Sequence, residues 1–370
     1  MFDRSIFEDR VEKTRELMKE RNLDYLVIYS DAWRAGNVRY LADWWTTGGG
    51  ISQAFSILVV PYDGEPHLFV GFEQVEAARA ESWIPQIKSF EEIHEWIHKI
   101  PIKRPKFGFV GRDIMPALTF EIFSKEFPKE QLHDASDTLS NLRRIKTSWE
   151  IDLMEKAGKL SDAGVEAAIN AVKEGVTEIE LEIVAVKTIV SGGGGLSFVP
   201  TVGSGPNSAH AMRRAGQRPI RKGDLILLDF GATYGGYYGD VTRTVAYGRL
   251  DTKSFDILSI ALEAQRSGRE FARPGVKACD IDTAVRRVIE EAGYGKYFIH
   301  NTGHGIGLDQ EENLPIGPRS HITIQPRMTF TIEAGIYLSG TGGVRVEDTV
   351  VATDSGVKSF NDLKREQFLQ

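Results

Sequence analysis

The first part of the chain alternates between hydrophobic patterns typical of helices and of buried strands. Apolar residues over 5–22 recur at the spacing of one helix face. Three short apolar runs follow, DYLVIYS at 24–30, QAFSILVVP at 53–61 and PHLFVG at 66–71, and each predicts a buried strand. Helix, strand and loop alternate to about residue 142, so we expect an N-terminal α/β domain over residues 1–142.

A second domain is predicted over residues 146–370. It opens with Thr147 and Glu150 at capping-box spacing, which predicts a long helix that ends near Gly175. The order helix, strand ending in acid-x-Gly, strand with acid-x-Thr then occurs twice. The two copies contain LDFG (228–231) with GDVTRTV (239–245), and IEAG (332–335) with VEDTVV (346–351). Two such halves packed face to face would bring their acids to a shared centre; the alternative is chance self-similarity.

Two acids of the first copy lie in a predicted hairpin. The pair Gly235-Gly236 between β-rich runs indicates a two-residue turn. In that register Asp229 lies opposite Thr242, and Asp240 shares a face with Thr242 because the two residues are two positions apart. Asp229 and Asp240 therefore point the same way, as diagonal neighbours.

The second copy adds Glu333 and Glu347 in β-rich runs. Four carboxylates on one buried face repel one another, so they must hold protons, meet cations or bind metal. Arg345 is on the face of Glu347 and offsets one charge, whereas divalent cations can offset all four.

His304 in HNTGHGIGL is a fifth candidate ligand because flanking glycines let its imidazole project. Oxygen-rich ligation with one imidazole favours Mn²⁺, Co²⁺ or Fe²⁺ over a thiolate-rich zinc site, although Zn²⁺ also tolerates such ligands. Four acids can bridge two ions, which lower the pKa of a bridging water and polarise a substrate carbonyl. We therefore predict a two-metal centre, with Mn²⁺ or Co²⁺ as the first choice.

The charge, the N-terminal residues and the cysteine count favour some classes of partner and compartment over others. The net charge of −7 is spread without basic runs, so no nucleic-acid partner is expected. The charged start MFDRSIFEDR is unlike a signal peptide, and no apolar stretch approaches the roughly 20 residues of a membrane span. The single Cys279 fits a reducing compartment, so we expect a cytoplasmic protein without membrane contact.

With these residues in place, the sequence resembles the superfamily of methionine aminopeptidase, prolidase, aminopeptidase P and creatinase. The resemblance covers nearly the whole chain, and its N-terminal domain is similar to those of the prolidase, aminopeptidase P and creatinase branch. It implies an α/β (α+β) protein with a creatinase-like N-terminal domain and a pita-bread catalytic domain of pseudo-twofold symmetry. It also implies five metal ligands, which here are Asp229, Asp240, His304, Glu333 and Glu347.

The resemblance also implies roles for other residues. Glu333 would double as the proton shuttle, and His300 would contact the substrate or stabilise the tetrahedral intermediate. Arg345 matches an arginine beside the ligands and, like Trp45, is a candidate substrate-binding residue. Trp45, in YLADWWTTGGG, matches a region that reaches the partner protomer's active site, which implies a homodimer. From composition alone, Trp44 and Trp45 could instead be core-facing aromatics beside a flexible turn.

Two departures from the family pattern concern the substrate. Peptidase members usually have histidines where this chain has Met212 and Glu311. His210 lies two residues before the first of these positions and is a candidate to replace that histidine as a substrate-binding residue. The resemblance predicts a dinuclear-metal hydrolase of amide bonds, most similar to Xaa-Pro dipeptidases and aminopeptidases, acting through a metal-bridged hydroxide. The two replacements keep an alternative open, in which the same centre cleaves a small non-peptide C–N substrate. A non-catalytic binding protein is a third hypothesis, which the five retained ligands disfavour.

Overall fold

A computed structural model of the chain describes residues 3–46 and 54–370. The chain divides into two compact units, Met1–Arg143 and Arg144–Gln370. The domain limits predicted from the sequence, 1–142 and 146–370, stay predictions. No helix within the described ranges has the length and hydropathy that a membrane span requires.

The first unit is a six-stranded sheet with helices. Its helices are α1 (Arg4–Glu20), α2 (Gly36–Ala42), α3 (Val75–Glu81), α4 (Ile93–His98), α5 (Ala117–Glu126) and α6 (Ser136–Arg144). Its strands are β1 (Tyr25–Asp31), β2 (Phe55–Pro61), β3 (His67–Val70), β4 (Gln86–Ser89), β5 (Phe107–Val110) and β6 (Leu132–Asp134), in the order β4-β3-β2-β1-β5-β6. The helix predicted over 5–22 and the three predicted strands are all present.

An aromatic core holds this sheet together. Tyr25 stacks on Phe107 with ring centroids 5.3 Å apart, and Trp96 of α4 meets Tyr25 edge-on at 5.6 Å. Trp44 is buried in this unit. Trp45 is 43% exposed, and the Arg39 guanidinium lies 3.4 Å from its ring centroid. Of the two tryptophans, only Trp44 therefore fits the core-facing alternative.

The second unit is built on a nine-stranded sheet. Its helices are α7 (Ser148–Ala171), α8 (Glu178–Ser191), α9 (Thr252–Phe271) and α10 (Ala278–Glu291). Its strands are β7 (Gly195–Leu196), β8 (Thr201–Ser204), β9 (Leu225–Phe230), β10 (Ala232–Tyr234), β11 (Tyr237–Tyr238), β12 (Val241–Tyr247), β13 (Gly303–Gly305), β14 (Glu312–Ile316), β15 (Thr329–Leu338), β16 (Gly342–Ala352), β17 (Val357–Ser359) and β18 (Gln367–Leu369). The nine-stranded sheet runs β14-β13-β15-β16-β12-β9-β8, with β17 on β16 and β18 on β12, and the other three strands form a small sheet of order β11-β10-β7.

The capping box of α7 forms as predicted, with Thr147 and Glu150 bonded reciprocally. The helix ends at Ala171, four residues before the predicted Gly175, because Val172 is already extended. Gly175 has a φ of +87° in the turn before α8, a conformation that glycine adopts without a steric cost.

The central strands have two different faces. On one face, Ile226 and Leu228 of β9 pack with residues of α7 and α8, and Ile332 and Val346 pack with residues of α9 and α10. Side chains alternate along a strand, so the intervening residues point to the opposite face. That opposite face contains the four predicted acids.

Candidate metal centre

Three of the acids lie in one row across four adjacent strands. Glu333 of β15 is paired with Glu347 of β16, Glu347 with Thr242 of β12, and Thr242 with Asp229 of β9. Directly paired residues in antiparallel strands share a face, and adjacent strands lie about 4.8 Å apart. The sheet order thus places these side chains side by side, with Asp229 opposite Thr242 as the hairpin predicts.

Asp240 and His304 join the row from neighbouring positions. Asp240 lies just before β12, where its backbone N–H donates to Thr349 Oγ1 (3.1 Å). His304 Nδ1 donates to the Gly305 carbonyl (3.0 Å), which leaves the lone pair on Nε2. That Nε2 lies 3.9 Å from Asp240 Oδ2 and 3.9 Å from Glu333 Oε1. Ligand atoms of Asp240, His304 and Glu347 all lie within 4.8 Å of one another.

Arg345 is buried among these acids, but its partner is Asp229 and not Glu347. Its guanidinium donates through Nη2 to Asp229 Oδ2 and through Nε to Thr242 Oγ1 (3.1 Å). The Thr242 hydroxyl in turn donates to Glu347 Oε2 (2.6 Å). Thr242 therefore couples the arginine to the acid that lies beside it on the next strand.

The acids are strongly perturbed. Burial, together with the charge of Glu347, raises the pKa of Asp229 to about 6, although Arg345 opposes this shift. Burial and the neighbouring Glu333 raise the pKa of Glu347 to about 7. Burial and three carboxylate neighbours hold the pKa of Asp240 well above its ordinary value, and burial also raises the pKa of Glu333. Without a cation, this face retains protons.

His300 belongs to a second set of contacts next to the acids. Its Nδ1 donates to the Asn301 carbonyl (2.7 Å), so its Nε2 accepts from the Tyr337 hydroxyl (2.9 Å). Arg345 Nη1 donates to the same hydroxyl (3.1 Å). Burial, followed by the charge of Arg345, lowers the pKa of His300 to about 4, so the ring is neutral. His300 Nδ1 lies 3.7 Å from Glu333 Oε2.

Tyr337 was not among the residues predicted from the sequence. It lies four residues after Glu333 on the same strand face, and burial raises its pKa to about 12. Gly335 lies between them, where a Cβ atom would come within 2.5 Å of the Tyr337 hydroxyl and 2.9 Å of His300 Nε2. The glycine of the IEAG motif therefore leaves room for the contact, a signal that the sequence contained.

The residues present fit divalent cations. Four carboxylates and one imidazole are the oxygen-rich donor set that such ions prefer. Asp240 Oδ1 is buried and has no hydrogen-bond partner among the residues the structure describes, and a buried carboxylate oxygen is costly without one. Arg345 supplies one positive charge against four acids.

The predicted substrate residues lie around this face. The Ala211 carbonyl accepts from Arg345 Nη1 (2.9 Å), which places His210 and Met212 on either side of that contact. Both are exposed, Met212 to 83%. Glu311 is exposed in the loop between β13 and β14. Trp45 lies in the first unit, so its part in substrate binding stays a prediction.

Comparison with known proteins identifies the family. Residues 10–145 match the creatinase/prolidase N-terminal domain, and residues 152–354 match metallopeptidase family M24. The chain belongs to metallopeptidase family M24. The Xaa-Pro dipeptidase of Pyrococcus furiosus is 34% identical over 361 residues, which span 97% of this chain and 99% of that protein.

Solved structures of a prolidase and an Xaa-Pro dipeptidase match the fold. The prolidase from Pyrococcus horikoshii OT3 has a TM-score of 0.87 at 30% identity, with 97% of this chain and 99% of that chain covered. The Xaa-Pro dipeptidase from Bacillus anthracis has a TM-score of 0.87 at 29% identity, covering 98% and 100%. The predicted fold, a creatinase-like domain followed by a pita-bread domain, is confirmed, and so is the predicted class: this is an M24-family hydrolase similar to Xaa-Pro peptidases.

Proposed function

We propose that this M24 protein hydrolyses amide bonds of short peptides, with Xaa-Pro bonds as the first candidate. The row formed by Glu333, Glu347, Thr242 and Asp229 is the observation that supports the proposal most strongly. Asp229, Asp240, His304, Glu333 and Glu347 would hold two divalent ions, with Mn²⁺ or Co²⁺ as first candidates and Fe²⁺ or Zn²⁺ as alternatives. When bound, such ions supply Lewis acidity that activates water and polarises the scissile carbonyl.

The protein's own groups would then handle protons and orientation. Glu333 has the most exposed side chain of the four acids, at 16%, and its raised pKa suits a group that accepts a proton and returns it to the leaving nitrogen. The N–H of neutral His300 lies beside Glu333 and donates to the Asn301 carbonyl, and we propose that it exchanges this acceptor for the oxygen of the tetrahedral intermediate. Tyr337 holds the ring of His300 in that tautomer.

Other parts of this proposal rest on the resemblance. We propose a cytoplasmic homodimer in which Trp45 of one protomer contributes to the substrate site of the other. Exposed His210 is proposed to contact the substrate next to Arg345.

A second candidate function is cleavage of a small non-peptide C–N bond at the same centre. The observation that favours it is the absence of an imidazole at Met212 and Glu311, since a missing general acid typically costs 10²–10⁴-fold in rate.

The test is a substrate screen of the Mn²⁺- or Co²⁺-loaded protein with Xaa-Pro dipeptides, longer Xaa-Pro peptides and small N-acyl or N-alkyl amides. Asp240→Ala and His304→Ala should each abolish metal-dependent turnover and keep the fold, whereas Asp256→Ala, a change at an exposed acid of α9, should have no effect. Full activity in either of the first two variants would contradict the proposal. Turnover of only the small amides would select the second candidate.

A further inference from the structure

Glu311 lies at the rim of the metal centre. The next residue, Glu312, pairs with Gly305, the neighbour of His304. In the loop between β13 and β14, which contains Glu311, the Gly307 carbonyl accepts from the N–H of Tyr238 (2.8 Å). Tyr238 lies two residues before Asp240. The loop thus borders the segments of two predicted ligands.

The cations described at this edge already have partners. Lys146 Nζ is buried against Glu312 Oε2 (2.7 Å), Arg144 Nη2 donates to the Asn313 carbonyl (3.0 Å), and Arg345 is bound to Asp229. Within residues 3–46 and 54–370, Glu311 has no ion-pair or hydrogen-bond partner. Its charge therefore faces solvent and incoming substrate without compensation from the protein.

The charge balance of the loaded centre gives this carboxylate its effect. Two divalent ions and Arg345 would balance the four buried acids together with the hydroxide that the ions would supply. Without Glu311 the same centre would therefore be close to neutral. Glu311 adds one negative charge, which places a local negative potential on its own side of the site, attracts a cationic substrate group and repels a carboxylate.

At the other end of the row, the side chain at position 212 cannot bind a substrate carboxylate. Met212 follows the residue whose carbonyl binds Arg345, and its exposed thioether provides apolar contact and no charge. A substrate would therefore meet Met212 beside the proposed contact His210 at one end of the row, and a free acid at the other.

We propose that Glu311 is a specificity-determining residue that favours peptides or amides carrying a protonated amine or guanidinium, and disfavours a free carboxylate beside the scissile bond. This inference rests on the proposed function. It predicts that amidated or longer cationic peptides are better substrates than free Xaa-Pro dipeptides.

The experiment compares three compounds that share the same Ala–Pro bond: Ala-Pro, Ala-Pro-amide and Ala-Pro-Lys-amide. On the Mn²⁺-loaded wild type, kcat/KM should rise in that order. Glu311→Gln should lower the ratio of kcat/KM for the lysine amide to that for the free acid by roughly 10-fold, and about 0.5 M NaCl should compress the wild-type ratio. Glu291→Gln, the same change on the exposed surface of α10, should leave the ratio unaltered.

An equal kcat/KM ratio in wild type and Glu311→Gln would overturn this inference. Cleavage of the peptides by both proteins would still support the proposed function. If the loaded wild type cleaves none of the three, the proposed peptidase function fails, and the inference is decided by calorimetric Kd values of the same compounds. Roughly 10-fold tighter binding of the lysine amide that disappears in Glu311→Gln would support it, and charge-independent binding would overturn it.

Discussion

Metal binding should displace a proton from Glu347 at a pH where an ordinary glutamate has none. Burial and the neighbouring Glu333 raise the pKa of Glu347 to about 7 from its ordinary 4.5. At about pH 6 the metal-free protein then holds about 0.9 proton on this group, whereas an unshifted glutamate would hold about 0.03. A divalent ion needs the ionised form, so binding releases that proton and weakens as the pH falls.

The direction and size of this effect follow from the same pKa. Between about pH 8 and pH 5, protonation of Glu347 alone should weaken Mn²⁺ binding by roughly 100-fold, compared with less than 2-fold for an unshifted glutamate. Asp229, whose pKa is raised to about 6, adds to the loss in the lower half of this range.

The assay is titration calorimetry with Mn²⁺ at about pH 6 in buffers of different ionisation enthalpy, which counts released protons. Glu347→Gln is the matched variant, because it keeps the size of the side chain and cannot titrate. Both proteins release the protons that metal displaces from the other ligands. The difference in the number of protons released therefore reports Glu347 alone, and it should be close to one. Equal proton release in the two proteins would refute the claim that this carboxyl is buried and protonated before metal binds.

Three further predictions concern other residues of the second unit. Tyr337→Phe removes the hydroxyl that donates to His300 Nε2, so kcat should fall roughly 10–100-fold while the melting temperature stays nearly constant; an unaltered kcat would show that the contact has no catalytic role. Asp348→Ala leaves buried Arg243 without its carboxylate partner and should cost about 3–5 kcal/mol of unfolding free energy in denaturant titrations; a loss below about 1 kcal/mol would contradict this. His210→Ala should reduce turnover less than His304→Ala, since His210 is exposed; an equal collapse would assign His210 the missing shuttle role.

Local geometry was predictable where a turn or a periodicity fixes it. The Gly235-Gly236 turn set the register that places Asp229 opposite Thr242, because a two-residue loop leaves one choice of pairing. The capping box located the start of α7 for a similar reason. The position of Glu347 between Glu333 and Thr242 depended on β16 lying between β15 and β12, and no local pattern specifies that order.

Long side chains were the least predictable part of the site. Strand alternation placed Arg345 on the face of Glu347, but its guanidinium reaches past Thr242 to Asp229. Tyr337 was missed because its hydroxyl acts on His300, which comes from a loop 37 residues away in sequence. Such contacts depend on the sheet as a whole and on the space that Gly335 leaves.

The central claim is that five side chains from separate segments hold two divalent ions. The most direct measurement is anomalous diffraction from crystals grown with saturating Mn²⁺. Two anomalous peaks about 3.5–4 Å apart among Asp229, Asp240, His304, Glu333 and Glu347 are the predicted result. A map without peaks among these residues, or one in which the carboxylates point away from one another, would contradict the account.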